Sequence, residues 1–344
     1  MMDAIVLVEN GKLEYQKRPI PQPQDSEYLV RMTSTGVCNS DIFRGFDKGA
    51  YHYPLVMGHE MAGEIVASGP DMNKYQIGQK VVVFPLIPCR KCGACQQQRW
   101  VHCTSYDYYG SRKDGGFQQF LTVKEWNLLP IPEGIDDVMA CLCEPIAVCL
   151  RTANMLSLGG KRGTVAVIGA GIIGIITAMI LKTRQGYEDV SMIDRNTFKL
   201  DLVRELGMEG IHLEDISAYQ KSFDYVVEAC GAVTTYYASL DIAAPQAVVV
   251  WMGNIQGDIT FQKSGISSIL RKELIIRGVW NSEYQQGVKD DWICALELIK
   301  NAPWLKKLIT HEIALSSLPH ILEQMYLLKR QHSPHNILKV IIKF

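Results

Sequence analysis

The sequence predicts an α/β protein of two domains, one β-rich and irregular, the other a doubly wound parallel sheet. Three observations carry this. From Gly163 onward, apolar β-branched runs alternate with amphipathic segments, the pattern of strands buried on both faces by intervening helices. Before about residue 150, short alternating or apolar runs are broken by Gly, Pro and Asp, and helical periodicity never lasts. The length of 344 residues exceeds what one core usually organises.

Taken in order, the N-terminus Met1–Glu9 has no basic region and no small-residue cleavage site, and is expected to open as a strand rather than serve as a signal peptide. Strands are expected at Tyr28–Met32, Glu64–Ala67, Lys80–Phe84 and Gln118–Val123, with helices near Ser40–Arg44, after Cys92 and around Asp136–Ala153. The second part predicts strand Val165–Ile168, helix Ile172–Lys182, strand Val190–Ile193 and helix Thr197–Leu206. Strands follow at Tyr225–Val227, Ala247–Met252 and Leu274–Gly278. A helix over Lys289–Asn301 and a strand over Leu338–Ile342 close the chain, in a tail too short to fold alone and expected to rejoin the first domain.

Composition excludes several classes. The net charge is −1 without a basic run, which argues against nucleic acid or an anionic membrane as partner. Thr164–Leu181 runs 18 residues without a charge, but Gly169, Ala170, Gly171 and Gly174 interrupt it. A buried strand followed by a buried helix fits that run better than a membrane span. Of the 10 cysteines, only four have metal-type spacing. The rest sit in apolar or loop contexts, a usage that fits a reducing, cytoplasmic compartment.

Those four are Cys89, Cys92, Cys95 and Cys103, spaced as a metal clip. Four thiolates close a tetrahedral zinc and leave no open position, so the clip is expected to be structural. An iron–sulfur cluster is the alternative occupant, and a zinc-ribbon binding module the alternative function. Gly169-Ala170-Gly171-Ile172-Ile173-Gly174 directly follows an expected strand and opens an expected helix. The first glycine makes the turn, the second admits a pyrophosphate to the backbone, and the third lets helix and strand close up. Asp194 ends the next strand, where a carboxylate accepts ribose hydroxyls and repels a 2′-phosphate, favouring NAD over NADP. Lys199, in the following helix, is a further cofactor candidate, and Arg195 pulls the other way.

The remaining chemistry is scattered. Cys38 lies in Gly36-Val37-Cys38-Asn39-Ser40-Asp41, His59 and Glu60 in Gly58-His59-Glu60-Met61-Ala62-Gly63, and Glu144 before Pro145. Singly, each reads as a small thiol, a core histidine or a helix-start acid. Beside a nicotinamide-type site they read together as an open three-ligand zinc.

Gly58-His59-Glu60 with Gly63 and Gly69, the cysteine lobe, Glu144-Pro145 and the glycine loop with Asp194 occur here in the order of the zinc-dependent medium-chain dehydrogenases. The chain resembles that family over essentially its whole length. Gly49–Pro54, Tyr109–Phe117 and Ile269–Leu274 make it most similar to the polyol branch, sugar-alcohol phosphate dehydrogenases included. The resemblance implies a GroES-like catalytic domain at residues 1–148 and 281–344, with its zinc lobe at about 88–104, and a Rossmann NAD-binding domain at 149–280. It implies two zincs per subunit: one on Cys38, His59 and Glu144, the other on Cys89, Cys92, Cys95 and Cys103. Cys141 and Cys143 are the alternatives to Glu144, since relatives acting on simple alcohols use a cysteine near there. Glu60 becomes a neighbouring or exchangeable ligand and Ser40 a proton relay.

The implied reaction is NAD-dependent oxidation of a sugar-alcohol phosphate to a ketose phosphate, galactitol 1-phosphate to tagatose 6-phosphate first among them. Sorbitol, xylitol, a vicinal diol or L-threonine are the alternatives. The resemblance also suggests a homodimer or homotetramer. For a substrate phosphate, the sequence offers Lys48, His52 and Arg44.

Overall fold

The computed structural model of the chain describes residues 1–157, 163–331 and 333–344. They form two compact units: Met1–Pro145, Glu283–Ser333 and Lys339–Phe344 in the first, Ile146–Ser282 with Pro334–Leu338 in the second.

The first unit is built on a seven-stranded sheet. Its main path runs Leu128–Pro130, Lys80–Val83, Glu60–Ser68, Glu27–Gly36, Lys339–Lys343 and Ile309–Ala314, and Phe120–Lys124 also pairs with Glu27–Gly36. The long central strands pair antiparallel with register shifts between Leu29 and Val30 and between Met32 and Ser34. Such bulges bend a strand and re-aim its side chains. One face buries Tyr28, Val30, Met32, Met61, Ile65, Val81, Val83 and Val123, the alternation expected of a sheet with one covered face. A three-stranded sheet of Lys12–Arg18, Met2–Glu9 and Leu55–Val56 completes the N-terminal half.

The second unit is a six-stranded, all-parallel sheet in the order Glu209–His212, Val190–Asp194, Val165–Ile168, Phe223–Glu228, Ala243–Trp251 and Ile275–Gly278. The strand order reverses beside Val165–Ile168, which is where such sheets bind nucleotides. Ile172–Thr183 buries eight of its twelve residues, so the uncharged run is a buried strand and a buried helix. Among the described residues no helix is long and apolar enough to cross a membrane.

Most elements fall within a few residues of where hydrophobic periodicity sets them. One difference bears on the site. The helix expected over Asp136–Ala153 is two, Asp137–Ala140 and Cys143–Ser157. Pro145 lacks an N–H and is accommodated only in a first turn, so a new helix starts just ahead of it and Glu144 lands at its N-terminal end. Helices Val233–Ile242, Lys263–Lys272 and Leu318–Arg330 and strand Ile309–Ala314 are not among the sequence expectations. Val233–Ile242 is rich in β-branched and aromatic residues, and packing overrides that propensity.

Candidate metal centres and nucleotide site

The cysteine lobe is local. Cys89, Cys92, Cys95 and Cys103 place their sulfurs within 4.8 Å of one another, with Sγ–Sγ distances of 4.0 Å (Cys89–Cys95), 3.5 Å (Cys92–Cys95) and 3.8 Å (Cys92–Cys103). A zinc with ordinary Zn–S bonds needs edges of about 3.8 Å, so the four fit one ion. The Cys89 amide donates to Cys103 Sγ at 3.2 Å. Backbone amides of Cys95 and Thr104 draw the Cys92 thiol down to about 5, whereas burial and the neighbouring thiols push Cys95 up to about 12. Thiols crowded this closely are stable as thiolates only around a cation.

The second centre is assembled from distant segments. Strand Glu27–Gly36 delivers Cys38 at the start of helix Asn39–Phe46, and strand Glu60–Ser68 delivers Glu60 with His59 just ahead of it. Ligand atoms of Cys38, His59 and Glu60 lie within 4.8 Å of one another. Glu144, the expected third ligand, is not in that 4.8 Å set, where Glu60 takes its place. It is buried near enough to feel the same groups, and burial and Glu60 push its carboxyl up to about 7 against the pull of His59 and Lys339. Among the described residues it has no hydrogen bond or ion pair, while Glu60 pairs with Lys339. Cys141 and Cys143 are buried, with thiols engaged by the backbone carbonyls of Val138 and Trp292.

Two residues that the motifs do not mark organise this centre. Asp41 is fully buried, accepts the Cys38 amide at 3.0 Å, and faces His59 Nδ1 at 3.4 Å through its other oxygen. That His59 nitrogen has no hydrogen bond to any described residue. Burial disfavours the charged imidazole, yet Asp41 and Cys38 hold His59 well above its ordinary pKa. Lys339 is fully buried, donating to Val37 O at 3.1 Å and to Glu60 Oε2. Burial pulls its ammonium down, but Glu60 and Cys38 outweigh that and keep it above its usual value. A Cβ on Gly36 would collide with Glu60 Oε2, so glycine is what leaves space for the pair. Each residue had a signal: Asp41 is an acid three residues after a helix-capping position, and Lys339 is the lone charge inside Leu338–Ile342. Ser40 sits in the first turn after Cys38, half-buried, its hydroxyl unbonded among the described residues.

The glycine loop turns at Gly169, with φ of +108°. A Cβ on Gly174 would strike Gly169 O, whereas one on Gly171 meets nothing within 4 Å. Gly174 is therefore required by the fold, and Gly171 lines open space at the start of helix Ile172–Thr183. Asp194 Oδ2 accepts the Ala170 amide at 2.7 Å and Oδ1 the Asn196 amide at 2.9 Å. That carboxylate thus fixes the loop against the end of the neighbouring strand. Lys199 is half-buried in the first turn of helix Thr197–Glu205.

The alcohol dehydrogenase GroES-like domain model matches residues 24–133, and the glucose dehydrogenase C-terminus model matches residues 138–326. Galactitol 1-phosphate 5-dehydrogenase of Escherichia coli K12 is 30% identical over 321 residues, 90% of this chain and 92% of that protein. The chain belongs to the zinc-dependent medium-chain dehydrogenases. D-altritol 5-dehydrogenase of Agrobacterium fabrum is 31% identical, over 80% of the chain and 83% of that enzyme. The crystal structure of galactitol-1-phosphate dehydrogenase from E. coli superposes with a TM-score of 0.89 at 28% identity, covering 100% of both chains. This medium-chain dehydrogenase is therefore an oxidoreductase with a GroES-like domain and a Rossmann sheet.

Proposed function

We propose that this dehydrogenase oxidises a secondary alcohol of a sugar-alcohol phosphate to the ketose phosphate with NAD as hydride acceptor, galactitol 1-phosphate to tagatose 6-phosphate being the first choice. The observation that carries it is the donor set of the second centre: one thiol, one imidazole and buried carboxylates in place of a second thiol. Cys38, His59 and Glu144 would hold one zinc, and Cys89, Cys92, Cys95 and Cys103 a second. Glu144 is favoured over Glu60 because its carboxylate lacks a partner, whereas Glu60 has Lys339. When bound at the mixed-donor centre, zinc supplies a Lewis acid for the substrate hydroxyl, made harder by a carboxylate ligand.

The chain's own residues then do the following. Asp41, facing Nδ1 at 3.4 Å, orients the His59 ring by its charge, toward the carboxylate–histidine arrangement that fixes a ligating imidazole. Lys339 neutralises Glu60 and keeps it in reserve as an exchangeable ligand. Ser40 Oγ accepts the proton leaving the substrate hydroxyl and passes it toward water. Gly171 gives the pyrophosphate room at a helix N-terminus. Asp194 accepts the ribose hydroxyls, which supports NAD.

A second reading, a free polyol as substrate, is favoured by the D-altritol relative at similar identity. Turnover with NAD across galactitol 1-phosphate, galactitol, sorbitol, xylitol and L-threonine tests both. The proposal expects the phosphate ester to have the highest kcat/KM. Free polyols turned over equally well would overturn it.

A further inference from the structure

We propose that Arg112, with His52 beside it, is the phosphate-recognising group of the substrate site, an inference that rests on the sugar-alcohol phosphate reading above. The Arg112 guanidinium lies against two tyrosine rings, its Cζ 4.1 Å from the Tyr106 centroid and 4.6 Å from that of Tyr51. One terminal nitrogen donates to Tyr106 O at 2.7 Å and the other reaches Tyr51 Oη at 3.5 Å. Both rings lie within cation–π range and fix the position of the cation, and two of its five N–H groups are used by Tyr106 O and Tyr51 Oη. A planar edge with donors to spare suits a phosphomonoester, which takes a guanidinium in bidentate fashion.

Its neighbourhood agrees. His52 Nε2 lies 3.1 Å from Arg112 O, so the segment carrying Lys48, Tyr51 and His52 is docked onto the segment carrying Arg112. Of the nearby acids, Asp114 is paired with Arg18 at 2.9 Å, while Asp107, 3.6 Å from Lys113, also acts electrostatically on Arg112. Of the sequence candidates, Arg44 is engaged by Asp41. An aromatic path leads from here to the metal centre: Tyr106 meets Tyr108 with centroids 6.3 Å apart, and Tyr108 meets the His59 ring at 5.9 Å. Ring contacts thus join the segment carrying the cation to His59 of the metal centre, and a substrate with its reacting hydroxyl and its phosphate at opposite ends would bridge the two.

The test compares wild type, Arg112→Met and Arg112→Lys on galactitol 1-phosphate and on galactitol, with ³¹P NMR line broadening of inorganic phosphate as a readout independent of turnover. Expected for Arg112→Met is a KM for the ester raised roughly 10- to 100-fold, the loss of a charge-assisted contact, with kcat and galactitol turnover held and phosphate broadening abolished. Arg112→Lys, which keeps the charge but not the fork, falls between. If Arg112 only pins the two loops, both substrates suffer alike, and that outcome overturns the inference. So does phosphate broadening that is absent from wild type or unchanged in Arg112→Met. A wild type that prefers the ester, with Arg112→Met keeping that preference undiminished, sinks Arg112 alone. A wild type without preference for the ester sinks the substrate reading itself.

Discussion

The two metal-type clusters share cysteine but little else. The lobe at Cys89–Cys103 spans fifteen residues of sequence with four chemically identical donors, two of them only half-buried. The centre at Cys38 and His59 draws on segments up to 302 residues apart (Val37 to Lys339), mixes thiol, imidazole and carboxylate, and surrounds them with buried Asp41, Glu60, Glu144 and Lys339. A closed set of like donors can only hold an ion. A mixed set in a low-dielectric surrounding keeps charges that are costly to bury, and such an arrangement persists where chemistry needs it. On the proposed reading, compactness in sequence goes with the staple and dispersal with the reaction.

Cysteine-to-serine changes at the two clusters give the largest contrast. Cys38→Ser should lower kcat/KM by about 10³-fold or more, since several kcal/mol of Lewis-acid stabilisation are at stake, with near-native circular dichroism and melting. Cys95→Ser should do the reverse: stability falls by several kcal/mol as the lobe loses its ion, while surviving folded protein keeps its kcat. Zinc analysis should give about one ion fewer per chain in each variant against two in wild type. An active Cys38→Ser enzyme, or a Cys95→Ser enzyme fully stable but dead, would reverse the assignment of roles.

How much of this the sequence discloses depends on whether a feature is local. The glycine loop, its strand and its helix are contiguous, so spacing alone predicts them, and the observed strand Val165–Ile168 coincides with the expected one. The cysteine lobe is legible for the same reason. Cys38, His59 and Glu144 are proposed together only when a family pattern lines up three separate motifs, and the structure brings Cys38 and His59 together with Glu60. Lys339 belongs to no motif and pairs with Glu60, 279 residues distant in sequence. Arg112 lies in Tyr109–Phe117, which marks the branch but not the contacts its guanidinium makes with Tyr51 and Tyr106. Periodicity reports which face is buried and says nothing about which loop meets which.

The buried pair carries the next prediction. Lys339→Met removes the partner of a carboxylate that stays buried, and breaking such a pair costs about 3–5 kcal/mol. Urea unfolding should register that loss, and adding Glu60→Gln should restore most of it because no uncompensated charge remains. Were Lys339→Met to cost under about 1 kcal/mol, the level of an exposed pair, Glu60 would have to be neutral or solvated. Its role as a charged ligand in reserve would fall with that result.

The smallest effect probes the other region. Asp194 accepts two backbone amides in this structure, so alanine there would loosen the glycine loop as well as remove the ribose acceptor. Asp194→Asn separates the two roles, because its amide oxygen still accepts one backbone N–H while the negative charge is gone. The KM for NAD should rise roughly 10-fold, the low end for a hydrogen bond to a charged group. The KM for NADP should fall relative to it, since repulsion of the 2′-phosphate is relieved. A variant whose preference between the two nucleotides is unchanged would mean that Asp194 serves only to hold Ala170 and Asn196. Discrimination would then have to come from elsewhere on the same strand end, where Arg195 is the next side chain along the chain.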